Sequence, residues 1–389
     1  MKAMPQELPV THLTTYLREE WGGMQAIVEM LKRPIDQIVR LYEAPETGMD
    51  GELGLGATGL TTPAQLRRAF RQSQQNASTA CIVYHNAYAL GLLADLDRAE
   101  RRLIYIHTVS PLLSQTLPNL TALIDGVIAC GPVTLAYARR LLPELPVEAF
   151  YLCSTGLTPG KQLAPERADT RNPIRLVYCG RMVKEQKRLD RLPMLIQQLD
   201  KRQIPFEFTL VGDGPLLPWL RQRLGGDRHM RFTGRISGDA YWSELAQAHC
   251  AVLLSDYEGA SIFLDEAMLT GAIPLLPIYD EAVRDLPYVQ RHPELAYETG
   301  HIAALADSIS LLQKMPATDF AAISQFVREL VKTRSLERFQ RDFHAAINDV
   351  HQRSARAKPA LHRRSSPWDF APLSLVTTLN RRHLNADRF

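Results

Sequence analysis

Short apolar runs alternate with amphipathic stretches along almost the whole chain, and this alternation limits the fold more than any other feature. A first series comprises residues 10–13, 38–42, 81–85 (CIVYH), 102–107 (RLIYIH) and 126–130 (GVIAC), with a helical pattern over 133–142 after the last. A second series begins after residue 172: IRLVYCG, FEFTLVG, MRFTG, AVLLS and AIPLLP. Runs this short, each followed by polar or helical sequence, predict parallel strands whose crossover helices cover both faces of a sheet. Between the two series lies STGLTPGKQLAPERADTRNP, rich in Gly, Pro, Thr and charge, which reads as a linker. The chain is therefore expected to be α/β, with two doubly wound, Rossmann-like domains facing a cleft, over residues 1–155 and 174–334, joined by a linker at 156–173. Residues 335–350 fit a helix with Leu336, Phe339, Phe343, Ala346, Ile347 and Val350 on one side, returning toward the first domain. The tail, 351–389, is basic; Trp368, Phe370, Leu373, Leu375 and Val376 could dock on the body of the protein.

Residues 251–274, AVLLSDYEGASIFLDEAMLTGAIP, carry the richest chemistry. A strand runs into a turn marked by Gly259 and Ala260, and Phe263–Leu269 can form a helix. Free N–H groups at a helix start attract an anion. Glu258 and Glu266 flank that start. Carboxylates beside an anion site are unfavourable unless they meet hydroxyls, so the expected ligand carries phosphate and sugar together, and a nucleotide-sugar is the simplest such molecule. Glu266 would reach vicinal ribose hydroxyls and Glu258 the sugar being transferred, while Gly271 is placed to end the helix. The plain alternative is an exposed helix residue and a loop charge.

Upstream, VYCGRMVKEQKRLDRL ends a strand at Gly180 and places Arg181 and Lys187 six residues apart. Two cations aimed at a departing diphosphate would stabilise its developing charge without a metal. Lys184 and Arg188 compete for the role. No Asp-x-Asp lies among these residues, so neither a metal nor another cofactor is expected. TLVGDGP contributes Gly212 and Gly214 to a tight turn without dinucleotide-fold spacing, and MRFTGRI brings Arg235 and its backbone near a base. In the first half, Gly22 and Gly23 precede a helix and would let backbone approach a phosphate. His107 ends a strand, where an open parallel sheet offers its ligand crevice, and His85 ends another.

Composition removes other classes. A net charge of +3 over 389 residues gives no footprint for nucleic acid. The five cysteines have neither zinc nor CxxC spacing and read as buried thiols of a reducing compartment. The N-terminus lacks a secretory apolar core, and no apolar run approaches membrane-spanning length. A cytoplasmic location is expected, with the basic tail able to meet anionic lipid at the inner membrane face.

Together the Gly22-Gly23 loop, His107, Gly180-Arg181 with Lys187, the VGDGP turn, and Glu258 to Glu266 followed by Gly271 resemble the retaining glycosyltransferases of family 4 (glycosyl transferases group 1), which have the GT-B fold. The resemblance covers most of residues 8–350. It implies that Arg181 and Lys187 hold the donor diphosphate, Glu266 the ribose, and Glu258 with the amides near 260–262 the transferred sugar, while His107 positions that sugar. It implies a UDP-sugar donor, with GDP next, and a glycan, lipid-linked, protein or small-molecule acceptor. Two positions depart from the pattern: Ala260-Ser261 stand where a bulky residue is usual, and Ser154-Thr155-Gly156 replace the Asn-Gly before the linker. A nucleotide-sugar epimerase, a sugar phosphorylase and a non-catalytic partner subunit are the competing readings.

Overall fold

A computed structural model describes residues 7–15, 23–44, 51–74, 79–93, 101–159, 171–353 and 370–374. The chain divides into two units, Met1–Ser154 with Phe339–Phe389, and Thr155–Arg338.

Among the described residues the first unit has seven strands: β1 (Val10–Thr14), β2 (Gln37–Arg40), β3 (Glu52–Gly54), β4 (Cys81–Tyr84), β5 (Arg101–Ile106), β6 (Gly126–Ala129) and β7 (Phe150–Leu152). They lie in the order β3-β2-β1-β4-β5-β6-β7. The second has six: β8 (Ile174–Cys179), β9 (Phe206–Val211), β10 (Met230–Gly234), β11 (Cys250–Val252), β12 (Ile273–Ile278) and β13 (Ala296–Glu298), ordered β10-β9-β8-β11-β12-β13. Every pairing is parallel. Both sheets thus reverse their direction of growth beside their own first strand, as in doubly wound dinucleotide-type folds. Central strands are buried along their whole length: VTHLT in β1, CIVY in β4 and GVIA in β6 have no exposed residue. That explains why they read as continuous apolar runs rather than alternating ones.

Local signals start the helices. Ser110 accepts from the amide of Leu113 ahead of Pro111, and Pro132 opens the helix Pro132–Leu141. The strand β11 ends at Val252, with the Leu253 amide still donating to the Leu275 carbonyl (2.9 Å), and Ser255 to Glu258 belong to the site described below.

The helix Leu336–Gln352 buries Phe339, Phe343, Ala346, Ile347 and Val350, the helical stripe read from the sequence apart from Leu336, which is half-buried. Its ring at Phe343 stacks on His12 of β1 with centroids 5.6 Å apart. Gln340 donates to the carbonyl of Met30 (2.6 Å), and the Tyr151 hydroxyl donates to Asp349. Of the tail, Leu373 is buried in the first unit's core, with its amide bonded to Thr61 and that of Ser374 to Gly59. Phe370 is exposed, and Trp368, Leu375 and Val376 lie outside the described residues. All five cysteines are free and buried. Among the described residues no helix is long and apolar enough to cross a membrane.

Candidate functional site

In the second unit, growth of the sheet reverses between β8 and β11. Helices leave these two strands toward opposite faces, so a crevice opens at their C-terminal ends. The loop after β8 carries Arg181 and Lys187; the loop after β11 carries Glu258 through Ser261. Topology alone therefore gathers the residues singled out by sequence.

Lys187 and Glu258 meet directly. Lys187 Nζ lies 2.7 and 2.9 Å from the two carboxylate oxygens, and the Ser255 hydroxyl donates to Glu258 Oε1 at 2.5 Å. Glu258 is only 4% exposed, so its charge depends on these donors. The two loops are also stitched by backbone and by charge. Asp256 N–H donates to the carbonyl of Gln186 (2.9 Å), and Gln186 Nε2 to that of Tyr257 (3.2 Å). Asp256 takes Arg188 and Arg191 at 2.6 Å each. Arg188 also pairs with Asp190, and these carboxylates hold its guanidinium above its ordinary pKa. Its charge is spent on the loop. Arg181, by contrast, is exposed and makes no ion pair among the described residues, as does Lys184.

Gly212 and Gly214 have a structural reason of their own. Both have positive φ (125° and 152°), and a Cβ on Gly212 would lie 2.2 Å from the Gly180 carbonyl oxygen. A Cβ on Gly214 would meet the Met182 backbone at 2.5 Å. The loops after β8 and β9 are packed main chain against main chain, with Met182 N–H donating to the Asp213 carbonyl at 2.8 Å. The VGDGP turn thereby fixes the path of the segment that presents Arg181. Arg235 is exposed just beyond β10.

Ser261 caps the helix Ile262–Leu269, its hydroxyl accepting from the amide of Leu264 at 3.4 Å. The amides of Ile262 and Phe263, in the first turn, have no acceptor within the helix. Gly259, Ala260, Ser261 and Ile262 are half-buried around this helix start. Tyr279 donates to the Gly259 carbonyl at 3.2 Å. Glu266 lies one turn in. Burial pushes its carboxyl up to about 7, aided by the neighbouring charge of Asp265 and opposed by a hydrogen bond donated by the Tyr241 hydroxyl. Asp265 points elsewhere and pairs with Arg334. Gly271, with φ of 82°, follows the helix end. Sequence reasoning missed Tyr241, Ser255 and Asp256. Ser255 and Asp256 adjoin Glu258 at a strand end, which was a usable signal; Tyr241 sits on a different helix, Gly238–Gln247, and carried none.

The remaining candidates belong to the first unit. Gly23 begins the helix Gly23–Leu31; Gly22 lies outside the described residues. His107 follows β5, with its Nε2 2.8 Å from His85 Nδ1, and stacks on Tyr105 at 4.3 Å. Burial lowers its pKa to about 3, so the ring is neutral at pH 7. His85, the rival, is joined to it rather than an alternative.

Comparison with known proteins bears on this geometry. Residues 173–313 match the family model described as Glycosyl transferases group 1. No curated protein matches the sequence. Among solved structures, the chain is similar to Anabaena HepE in complex with UDP, with a TM-score of 0.68 at 14% identity over 88% of this chain and all of that one. Sucrose-phosphate synthase from Thermosynechococcus elongatus gives 0.69 at 17% identity, over 88% of this chain and 99% of that chain. TarM gives 0.57 at 15% identity over 73% of this chain, which spans only 58% of TarM's length. The fold of this chain is the GT-B fold of these neighbours. The likeness to glycosyl transferases read from the sequence holds over residues 173–313.

Two substitutions probe the site's electrostatics. Lys187→Met leaves Glu258 charged and buried without its cation, and should cost about 3–5 kcal/mol of unfolding free energy. The double variant Lys187→Met with Glu258→Gln should recover most of that loss in denaturant titrations. Glu266 gives a pH signature. Between pH 4.5 and about 7 the native state retains a proton that the unfolded chain has released, so stability falls as pH rises through that window. Glu266→Gln should match the parent at pH 4 and exceed it by about 1–3 kcal/mol at pH 8, read by guanidinium unfolding at both values.

Proposed function

We propose that this chain is a retaining glycosyltransferase that moves a sugar from a nucleoside diphosphate, with UDP the first choice, to an acceptor hydroxyl. The observation that carries the reading is the constellation at the β8/β11 switch point: an exposed cation without an ion pair among the described residues (Arg181), a buried Glu258 paired with Lys187, and a capped helix start, all at one edge of one sheet. The family match over the same residues supports glycosyl transfer as the reaction class. The ligands of similar structures support a UDP-linked donor: HepE was solved with UDP and glucose, and the pneumococcal O-GlcNAc transferase GtfA with UDP and GlcNAc.

In this reading the diphosphate lies against Arg181 and the amides of Ile262 and Phe263. Lys187 has three N–H donors and directs two contacts to Glu258, so one remains for a phosphate oxygen. Glu258, fixed by Lys187 and Ser255, accepts hydroxyls of the transferred sugar. Glu266 accepts from ribose hydroxyls, and such donors, added to the Tyr241 contact, would favour the ionised carboxylate. Positioning of the transferred sugar is assigned to His107, and binding of the acceptor to the first unit.

Transfer proceeds on one face. The bond from the anomeric carbon to the phosphate oxygen breaks, and its electrons go to the diphosphate. The acceptor oxygen attacks from the side of the departing phosphate, and its proton passes to a phosphate oxygen. Arg181 and Lys187 offset the charge that develops there. No side chain is assigned as nucleophile and the reading uses no metal. The protein acts from the cytoplasmic side.

A thermal-shift panel of UDP, GDP, ADP and their common sugars tests the donor site, with a UDP-sugar expected to stabilise by about 2.7 kcal/mol at a hundredfold excess over its dissociation constant. Absence of any shift across the panel refutes the reading. With the donor in hand, Arg181→Ala should fold like the parent, because the side chain is exposed, and lose about a hundredfold in kcat; near-normal turnover removes Arg181 from the leaving-group role. Inversion in the anomeric NMR signal of the product would contradict same-face attack, and a new nucleotide-sugar formed without acceptor would identify an epimerase instead.

A further inference from the structure

Three histidines cross the first sheet in a hydrogen-bonded line. His12 lies on β1, His85 follows β4, and His107 follows β5. Register explains the line. His12 pairs with Val83, two residues before His85; Tyr84 pairs with Ile104, which sets His85 level with Tyr105, two residues before His107. Side chains two residues apart share a face of a strand. The three rings therefore form a diagonal on one face, stepping toward the C-terminal ends of the strands and crossing the β1/β4 switch point. His12 Nδ1 lies 3.1 Å from His85 Nε2, and His85 Nδ1 lies 2.8 Å from His107 Nε2. Phe343 covers one end by stacking on His12, and Tyr105 stacks on both other rings.

The protons in such a line are not independent. A neutral imidazole has one N–H and one bare nitrogen. Each inner gap needs one proton: two would clash and none would leave two lone pairs facing each other. All three rings must then share one tautomer. With Nδ1–H throughout, the surplus N–H sits on His107 Nδ1; with Nε2–H throughout, it sits on His12 Nε2. Both outer nitrogens are buried and have no hydrogen-bond partner among the described residues. A buried polar atom without a partner is costly, and its persistence calls for a reason. Burial keeps the rings neutral at pH 7, with His12 near 4, His107 near 3 and His85 well below its ordinary value. Around His12, the Asp36 carboxylate opposes this effect, and Arg33 and His344 reinforce it.

We propose that His12 and His85 are positioning residues for His107: they hold its ring by Nε2 and determine whether its outer Nδ1 donates or accepts a hydrogen bond. The two ends of the line always have opposite sense, so a hydrogen-bond donor meeting His107 Nδ1 fixes the proton on His12 two rings away. That this partner is a hydroxyl of the donor sugar rests on the function proposed above; the coupling between the rings does not.

The test uses the full chain with histidine-selective ¹⁵N labelling and no nucleotide-sugar present. Long-range ¹H–¹⁵N spectra at pH 7 should show His12, His85 and His107 neutral and in the same tautomer. A charged ring among the three, or mixed tautomers, overturns the proposal. His12→Phe keeps an aromatic ring against Phe343 and should shift both ring nitrogens of His107, which His12 does not touch, while His292 in the other unit stays in place. An unmoved His107 also overturns it. If the variant does not fold, the wild-type tautomers decide. Because no donor is added, failure here leaves the transferase reading standing, and an empty nucleotide panel leaves the histidine line standing.

Discussion

Parallel pairing is the constraint on which the rest of this chain depends. A parallel strand cannot follow its neighbour through a tight turn, so the chain must cross back over the sheet each time, and all C-terminal strand ends collect at one edge. In both sheets the order reverses next to the first strand. Loops at that edge are freed from closing hairpins and can carry charge. Lys187 and Glu258, 71 positions apart in sequence, meet because β8 and β11 are neighbours. His12 and His85, 73 apart, meet because β1 and β4 are.

The site in the second unit is held by charge that is already balanced. Glu258 is satisfied by Lys187 and Ser255, and Asp256 by two arginines. Such pairs add little net stability, but losing one partner is expensive, and this fixes the geometry of the loops. Against that background Arg181, like Lys184, is an exposed cation with no ion pair among the described residues, on a loop whose path is imposed by glycine packing at Gly212 and Gly214. A rigid support carrying an uncommitted charge is the arrangement that binding an anion requires.

Much of this was legible in the sequence. The ten apolar runs of the two series correspond to β1, β2, β4, β5, β6 and β8 to β12, since buried parallel strands carry little polar interruption. The inward stripe at Phe339, Phe343, Ala346, Ile347 and Val350 was equally plain because the opposite face of that helix is charged. The strands β3, β7 and β13 were not: each is three residues long and lies at a sheet edge, too short to set a period. Glu258 and Lys187 could be nominated, but not as a bonded pair, because strand order is a property of the whole sheet. Tyr241 reaches Glu266 from a separate helix, and no local pattern reports that contact. The histidine line was half visible as VYH and YIH at two strand ends; joining them to His12 required the register.

The first unit is not contiguous. Its core is completed by Phe339, Phe343, Ile347, Val350 and Leu373, encoded after the entire second unit. Domains made on the ribosome ordinarily fold from the N-terminus onward. Here the segment that precedes the second unit must wait, with His12 uncovered, until the helix that carries Phe343 has followed that unit. Meanwhile the Thr155–Arg338 unit, self-contained in sequence, can close on its own. The Thr155–Arg338 unit can therefore close before the unit that precedes it, whose core is completed only by segments encoded on its far side.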